Sequence, residues 1–249
     1  MFGLVVIIIL LAGSIYAVIA LPYEQYGQDY DRNRLTGQST IPRTAMPAWM
    51  NLFNDPPLLS TLILKEDSRE ASVTMRTLEN GWVEKTTIFT FDYLYKEIPS
   101  EIFLYLDPKY SEKVPFASLE WMYPDGSTHK LKDKAIPAST SYDFEAGINP
   151  KYILNQNPEW RNWFVDTGLY PTSAFHLLFA APGSSQFILQ RGTYRLTVTS
   201  LLFEKESDIQ PQLVLLGQVY GLAGTDYARR NLIVPLFWGM PFALLIGLL

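Results

Sequence analysis

Two long stretches without a single charge, one at each end of the chain, limit what can lie between them. Gly3 to Leu21 (GLVVIIILLAGSIYAVIAL) and Leu232 to Leu249 (LIVPLFWGMPFALLIGLL) contain no Asp, Glu, Lys, Arg, Asn or Gln. At a helical rise of about 1.5 Å per residue, each comes close to the roughly 30 Å hydrocarbon thickness of a bilayer. The expectation is a membrane protein with a first transmembrane α-helix over 1–22 and a second over 232–249, the segment between them returning to one face of the membrane. A signal peptide competes for the first run, because Val18 and Ala20 are small residues spaced as cleavage requires. Against it, no Lys or Arg precedes the run, which is also longer than a usual signal core. The second run has no polar flank after it, so the chain reads as the N-terminal part of a longer protein.

Between the runs lie roughly 200 residues, enough for one domain with its own core. A formal charge of −5 and an isoelectric point near 5.1 leave no basic face for nucleic acid. The absence of cysteine excludes disulfides, thiolate metal sites, thiol catalysis and a lipoprotein anchor. Orientation stays open on charge alone. Arg229 and Arg230 adjoin the second run, while Arg32 and Arg34 after the first are offset by Glu24, Asp29 and Asp31.

Tyr16, Tyr23, Tyr26 and Tyr30 surround the exit of the first run, where amphipathic rings suit the headgroup level, although a Tyr-rich linker fits equally. Residues 23–57 are polar and interrupted by Pro42, Pro47, Pro56 and Pro57, which predicts an extended tether with one short helical turn. A β-rich domain follows over 58–218. Its predicted strands are Leu58–Lys65, Ala71–Leu78, Trp82–Phe91, Glu101–Leu106, Ser118–Tyr123, Thr128–Leu131, Phe187–Gln190, Thr193–Phe203 and Leu213–Val219. Asn80-Gly81 is a two-residue hairpin signal, and Tyr123-Pro124-Asp125-Gly126-Ser127 is a second turn. Asn149–Thr167 alone looks helical, with Asn149 as cap and Pro158 splitting it. Short strands separated by turns about every ten residues predict a mainly antiparallel, sandwich-like fold with one short helical insertion.

Residues that carry chemistry are sparse. His129 and His176 have no His or Cys at ligand spacing, so no metal site is expected. No nucleophile elbow, P-loop or dinucleotide fingerprint occurs, and no cofactor is expected. Glu120, Asp125 and Glu145 would need to converge in space to act on a glycan, and a solvated face explains them more simply. Trp160, Trp163 and Phe164 would make a binding platform if exposed, but aromatics at helical spacing more often face a core. The expectation is a protein that is not itself an enzyme.

One more motif stands in the turn 219–231. Gly224-Thr225-Asp226 is followed by Arg230 and then by an apolar run that opens with Trp238-Gly239 and closes ALLIGLL. In this the chain resembles the inner-membrane permease subunits of peptide-type (dipeptide, oligopeptide, nickel) ABC importers. That family carries Gly-Thr-Asp-x-x-Gly-Arg-Asp just outside its second transmembrane helix, after one helix and an external segment. Arg229 stands where the family has Gly, and Asn231 where it has Asp. Physically, Gly224 permits a tight turn, Thr225 or Asp226 can cap the following helix, and Arg230 can pair with Asp226 four residues earlier. A capped membrane helix would explain these residues without a direct role in transport.

The resemblance covers roughly 30 residues and the layout, and it implies a multi-pass plasma or inner membrane protein with its central domain outside the cell. It also implies a second permease subunit, ATP-binding subunits docked through a region beyond Leu249, an external substrate-binding protein and membrane lipid as partners. The large β domain has no counterpart in typical members. Two other readings belong to different classes: a surface β-sandwich that binds or scaffolds and is tethered at both ends, and a membrane-bound hydrolase.

Overall fold

Alternation of apolar and polar residues builds the larger part of the molecule. In Gly192–Leu202, Tyr194, Leu196, Val198 and Ser200 point inward and are buried while their neighbours are partly open. A computed structural model describes residues 2–21, 39–138, 140–143, 158–167, 174–179 and 188–248. It divides into two compact units, Asn54–Gly217 and the pair of segments Met1–Phe53 with Gln218–Leu249.

The first of these is all antiparallel in its strand pairing. Its strands are β1 (Leu62–Leu64), β2 (Ala71–Thr77), β3 (Val83–Tyr93), β4 (Glu101–Lys109), β5 (Phe116–Met122), β6 (Thr128–Ala135), β7 (Thr140–Asp143), β8 (Gly192–Leu202) and β9 (Asp208–Leu216). They form one sheet in the order β1-β9-β4-β7 and another in the order β2-β3-β8-β5-β6. A single core joins the inner faces, with Ile102, Leu104 and Leu213 from the first sheet and Phe89, Trp121 and Tyr194 from the second. This is the sandwich-like architecture expected from the strand pattern. The central strands β4 and β9 are buried on both faces over much of their length, which matches the continuous apolar runs IFLYL and LVLL.

Aromatic rings fill one end of that core. Phe91 and Tyr194 stack at 5.9 Å, and Phe179 lies 4.9 Å from Tyr194 and 4.7 Å from Tyr93. The polar tips of these rings find backbone partners: Trp121 Nε1 donates to the Leu178 carbonyl at 3.1 Å and Tyr123 Oη to the Leu177 carbonyl at 3.0 Å. Burial raises the Tyr123, Tyr93 and Tyr194 hydroxyls well above their ordinary range, so all three remain neutral donors. Besides α1 (Phe2–Ala20) of the other unit, the helices include α2 (Pro158–Thr167) and α3 (Ala174–Phe179). The two bonds from Trp121 and Tyr123 pin α3 to β5 and the turn after it.

Several local expectations change. The Asn80-Gly81 hairpin has three loop residues rather than two: Leu78 N–H donates to the Trp82 carbonyl (2.8 Å) and Gly81 N–H to the Leu78 carbonyl (2.9 Å). Only Gly81 has positive φ (81°), whereas a two-residue type I′ turn needs it at both central positions. Of the segment expected to be helical, Asn149–Thr167, the described part Pro158–Thr167 is the helix α2, and 149–157 lie outside the described residues. Strand β7 and helix α3 went unforeseen, being short and lacking a clear period.

The second unit contains α1, a 3-10 helix (Ala48–Phe53) and α4 (Ile233–Leu248). Residues 3–20 of α1 have mean hydropathy 2.7 and are by length and composition enough to cross a membrane; the apolar part of α4, Ile233–Gly247, is shorter. The two run antiparallel. Tyr16 packs on Phe237 at 5.3 Å, Trp238 Nε1 donates to the Leu21 carbonyl at 2.8 Å, and Gly13 lies against Met240. A Cβ on Gly13 would sit 2.1 Å from Met240 Sδ, so the small residue sets the closeness of the pair. Their outward side chains, among them Leu4, Ile8, Leu11, Ile15, Phe242 and Ile246, are exposed and apolar.

Candidate functional site

The segment expected to be an extended tether is, from Ile41 to Trp49, hydrogen-bonded to the turn that precedes α4. Met46 pairs with Val219 in a parallel bridge, with Met46 N–H donating to the Gln218 carbonyl and Tyr220 N–H to the Met46 carbonyl, both at 2.8 Å. Ala48 N–H then donates to the Gly221 carbonyl at 2.8 Å. The prolines of this stretch are compatible with such pairing because each interrupts a ladder only at its own nitrogen. Residues 22–38, including Tyr23, Tyr26 and Tyr30, lie outside the described residues.

Gly224, Thr225, Asp226 and Arg230 come together at the centre of this arrangement. Gly224 has φ 75°, and a Cβ there would lie 2.2 Å from the Ala45 carbonyl oxygen. Only glycine meets both conditions. Thr225 is buried, and both its N–H and its hydroxyl are bonded. Its N–H donates to the Ala45 carbonyl (2.9 Å), its Oγ1 donates to the Pro42 carbonyl (2.7 Å), and the same Oγ1 accepts from Ala45 N–H (2.9 Å).

Asp226 and Arg230 close a small loop. Arg230 donates to the Asp226 carboxylate three times, from its backbone N–H at 2.8 Å, from Nε at 2.6 Å and from Nη2 at 2.6 Å. Partial burial alone would raise the Asp226 carboxyl, but the Arg230 amide and guanidinium outweigh it and hold the group below the usual carboxylate range. The expected pairing of Asp226 with Arg230 is present, although in a loop rather than along a helix.

The cap of α4 differs from expectation. Neither Thr225 nor Asp226 reaches it. Asn231 Oδ1 accepts from the N–H of Ile233, the first residue of α4, at 3.1 Å, and so supplies the side-chain cap. The signal is in the sequence, an Asn directly before the apolar run.

Between Asp226 and Arg230 the backbone repeats the hairpin loop of 78–82. Asp226 N–H donates to the Arg230 carbonyl (3.1 Å) and Arg229 N–H to the Asp226 carbonyl (3.0 Å), as Leu78 and Gly81 do in the other loop. Gly81 and Arg229 therefore hold equivalent positions, with φ of 81° and 62°. Arg229 is a non-glycine residue in the left-handed region, and its Nη1 donates to the Ile41 carbonyl at 2.7 Å.

Among the described residues, Glu120 and Asp125 stand in separate local settings. Glu120 is exposed on β5, opposite Lys130 and Thr197. Asp125 forms its own turn, accepting from Ser127 N–H (2.8 Å) and Ser127 Oγ (2.6 Å). Glu145 lies outside the described residues. His129 is buried against Tyr123, and desolvation lowers its pKa despite the opposing charge of Asp125. His176 lies on α3, and Trp160, Trp163 and Phe164 on α2. Among the described residues no cluster of three or more His, Asp or Glu is arranged to hold a metal ion.

No protein-family model matches the chain, and no curated protein matches it. Among solved structures, one similar chain is a non-crystalline cellulose specific carbohydrate-binding module, CBM28. The two share 12% sequence identity and a TM-score of 0.27, over 64% of this chain and 80% of that one. A likeness so loose bears on neither ligand nor activity.

Proposed function

We propose that the chain is the N-terminal portion of a permease subunit of a peptide-class ABC importer, carrying an enlarged external β domain. The observation that carries this reading is how the two departures from the family signature are accommodated. Arg229 replaces the family's Gly, and its backbone adopts the left-handed conformation that glycine takes most readily. Asn231 replaces the family's Asp, and it caps the helix through its side-chain oxygen, as Asp does. The loop thus keeps the geometry that the family residues would specify, even where the residues differ. The antiparallel pair α1 and α4, with outward apolar side chains, supports two membrane crossings; the external placement of the β domain follows from the family layout alone.

In this role the chain supplies no ATP site and no catalytic residue. Transport would be driven by ATP-binding subunits, with a second permease subunit completing the pathway and a substrate-binding protein delivering peptides or similar small solutes. The signature loop ties the segment entering from α1 to the start of α4. It therefore fixes how the second helix leaves the membrane.

The test is to tag the gene product in its native membrane, purify it in mild detergent, and identify what accompanies it. An ATPase and a second permease are expected, together with ATP hydrolysis stimulated by a peptide-loaded binding protein. A product that purifies without an ATPase, and whose external domain alone binds a glycan or protein, would instead establish the tethered surface sandwich.

A further inference from the structure

The 3-10 helix Ala48–Phe53 faces the wrong way for a soluble protein. Its large apolar residues are Trp49, Leu52 and Phe53; in a 3-10 helix the first two eclipse and the third sits about a third of a turn away, and all three are exposed. They are 49%, 82% and 75% exposed, and the adjoining Leu222 is 71% exposed. Trp49 is held in place: its Nε1 donates to the Leu222 carbonyl at 3.1 Å and its ring meets Phe53 edge-on at 6.5 Å. A patch that is ordered, aromatic and outward-facing has a partner of matching chemistry.

Its position along the chain's contacts identifies that partner. Ala48 N–H is bonded to the Gly221 carbonyl, and Gly221 packs near the Asn231 side chain that caps α4. The 3-10 helix is therefore one bonded step from the level at which the apolar run of α4 begins. If α4 crosses a bilayer, that level is the headgroup layer, where amphipathic Trp rings concentrate. A short helix lying in this layer buries its apolar face roughly 5–10 Å into the headgroup and acyl boundary. The described part of the entering segment, residues 39–53, contains one charged side chain, Arg43, which lies over the Tyr227 ring at 5.6 Å.

We propose that Ala48–Phe53 is an interfacial anchor, with Trp49, Leu52 and Phe53 seated in the outer boundary of the lipid bilayer. Through the Met46–Val219 bridge and Thr225, this anchor clamps the signature loop to a fixed depth. The proposal rests on the reading that α1 and α4 span the membrane.

Because the chain has no cysteine, single nitroxide labels can be placed cleanly. The full chain would be reconstituted in vesicles of phosphatidylcholine and phosphatidylglycerol with a label at Leu52→Cys, Phe242→Cys or Thr74→Cys. Collision with oxygen, which enriches in lipid, would be compared with collision with a water-soluble nickel chelate. The expected result is a strong oxygen preference at 242, an intermediate preference at 52, several-fold above that at 74, and water-like behaviour at 74. A lipid signature at 242 with a water-like label at 52 overturns the anchor while leaving the spans intact. A label at 52 shielded from both quenchers overturns it in favour of a protein partner. Water-like behaviour at 242 refutes the spanning reading, and the anchor with it.

Discussion

Substituting Gly224 with Ala tests whether the signature loop is held by contact with the entering segment or merely by its own turn. At φ 75° an added Cβ incurs the left-handed penalty, about 1–2 kcal/mol. It would also lie 2.2 Å from the Ala45 carbonyl oxygen and 3.1 Å from the Met46 carbonyl carbon. To relieve the contact, the backbone at Ala45 must retreat by about 1 Å, far enough to break the Thr225 N–H bond to Ala45 and the Ala45 N–H bond to Thr225 Oγ1 at about 1 kcal/mol each. The total is about 3–4 kcal/mol. Gly221 is the internal control, with φ 52° but nothing nearer to its Cβ than the Asn231 side chain at 3.8 Å. Gly221→Ala should therefore cost only the left-handed term, about 1–2 kcal/mol. Amide hydrogen exchange over 44–48 and 218–232, in the full chain reconstituted in nanodiscs, reads the local opening energy. The gap of about 2 kcal/mol corresponds to roughly 30-fold faster exchange in Gly224→Ala than in Gly221→Ala. Equal exchange in the two variants would refute the clamp.

Three further outcomes can be checked. Asn231→Ala should weaken the first turn of α4 by about 1 kcal/mol while Asn231→Asp leaves it intact, as read by exchange at Ile233 and Val234. Lys85 is 2% exposed and bonded to Asp208 (2.6 Å), Glu66 (2.8 Å) and the Ile209 carbonyl (3.0 Å). Lys85→Met should destabilise the β domain by about 3–5 kcal/mol in thermal unfolding, because two carboxylates lose their cation. Adding Glu66→Gln and Asp208→Asn should recover much of that loss, and a triple variant as unstable as the single one would refute the charge argument. The Glu204 carboxylate accepts from the Ser111, Lys113 and Glu112 amides, which hold it below the usual carboxylate range. A depressed folded value means that its hold on residues 111–113 is complete above the ordinary carboxylate pKa and is lost as pH falls through the folded one. NMR titration should show those three amide resonances moving together in acid, and not at all in Glu204→Gln.

What was legible in the sequence followed from periodicity. Tyr194, Leu196 and Val198 alternating with Arg195, Thr197 and Thr199 placed β8 and its buried face, because a two-residue repeat admits one burial pattern. The Gly and Pro punctuation located the turns, and the apolar run located α1. Tertiary pairing was not legible. Nothing in the residues Pro42, Ala45 or Met46 announces that their backbone groups meet Gln218, Tyr220 and Thr225, because backbone amides carry no side-chain signal. The same limit misassigned the helix cap: Thr225 has a capping side chain, but its hydroxyl is already engaged by Pro42 and Ala45, which leaves Asn231 to do the capping.

The two hairpin loops show why Arg229 can stand where glycine is expected. At Gly81 the left-handed conformation is free of Cβ strain, and the loop needs no further support. At Arg229 the same conformation costs about 1–2 kcal/mol. The side chain that causes the strain also offsets it, since its guanidinium reaches back to the Ile41 carbonyl, and hydrogen bonds from charged groups contribute about 1.5–3 kcal/mol. The exchange is close to neutral in energy but not in consequence. A glycine would leave the loop attached to the entering segment through Ala45, Pro42, Thr44 and Arg43, whereas Arg229 adds an attachment at Ile41 on the far side of Pro42. The Arg229 side chain therefore adds to the bonds that tie the entering segment to the turn before α4.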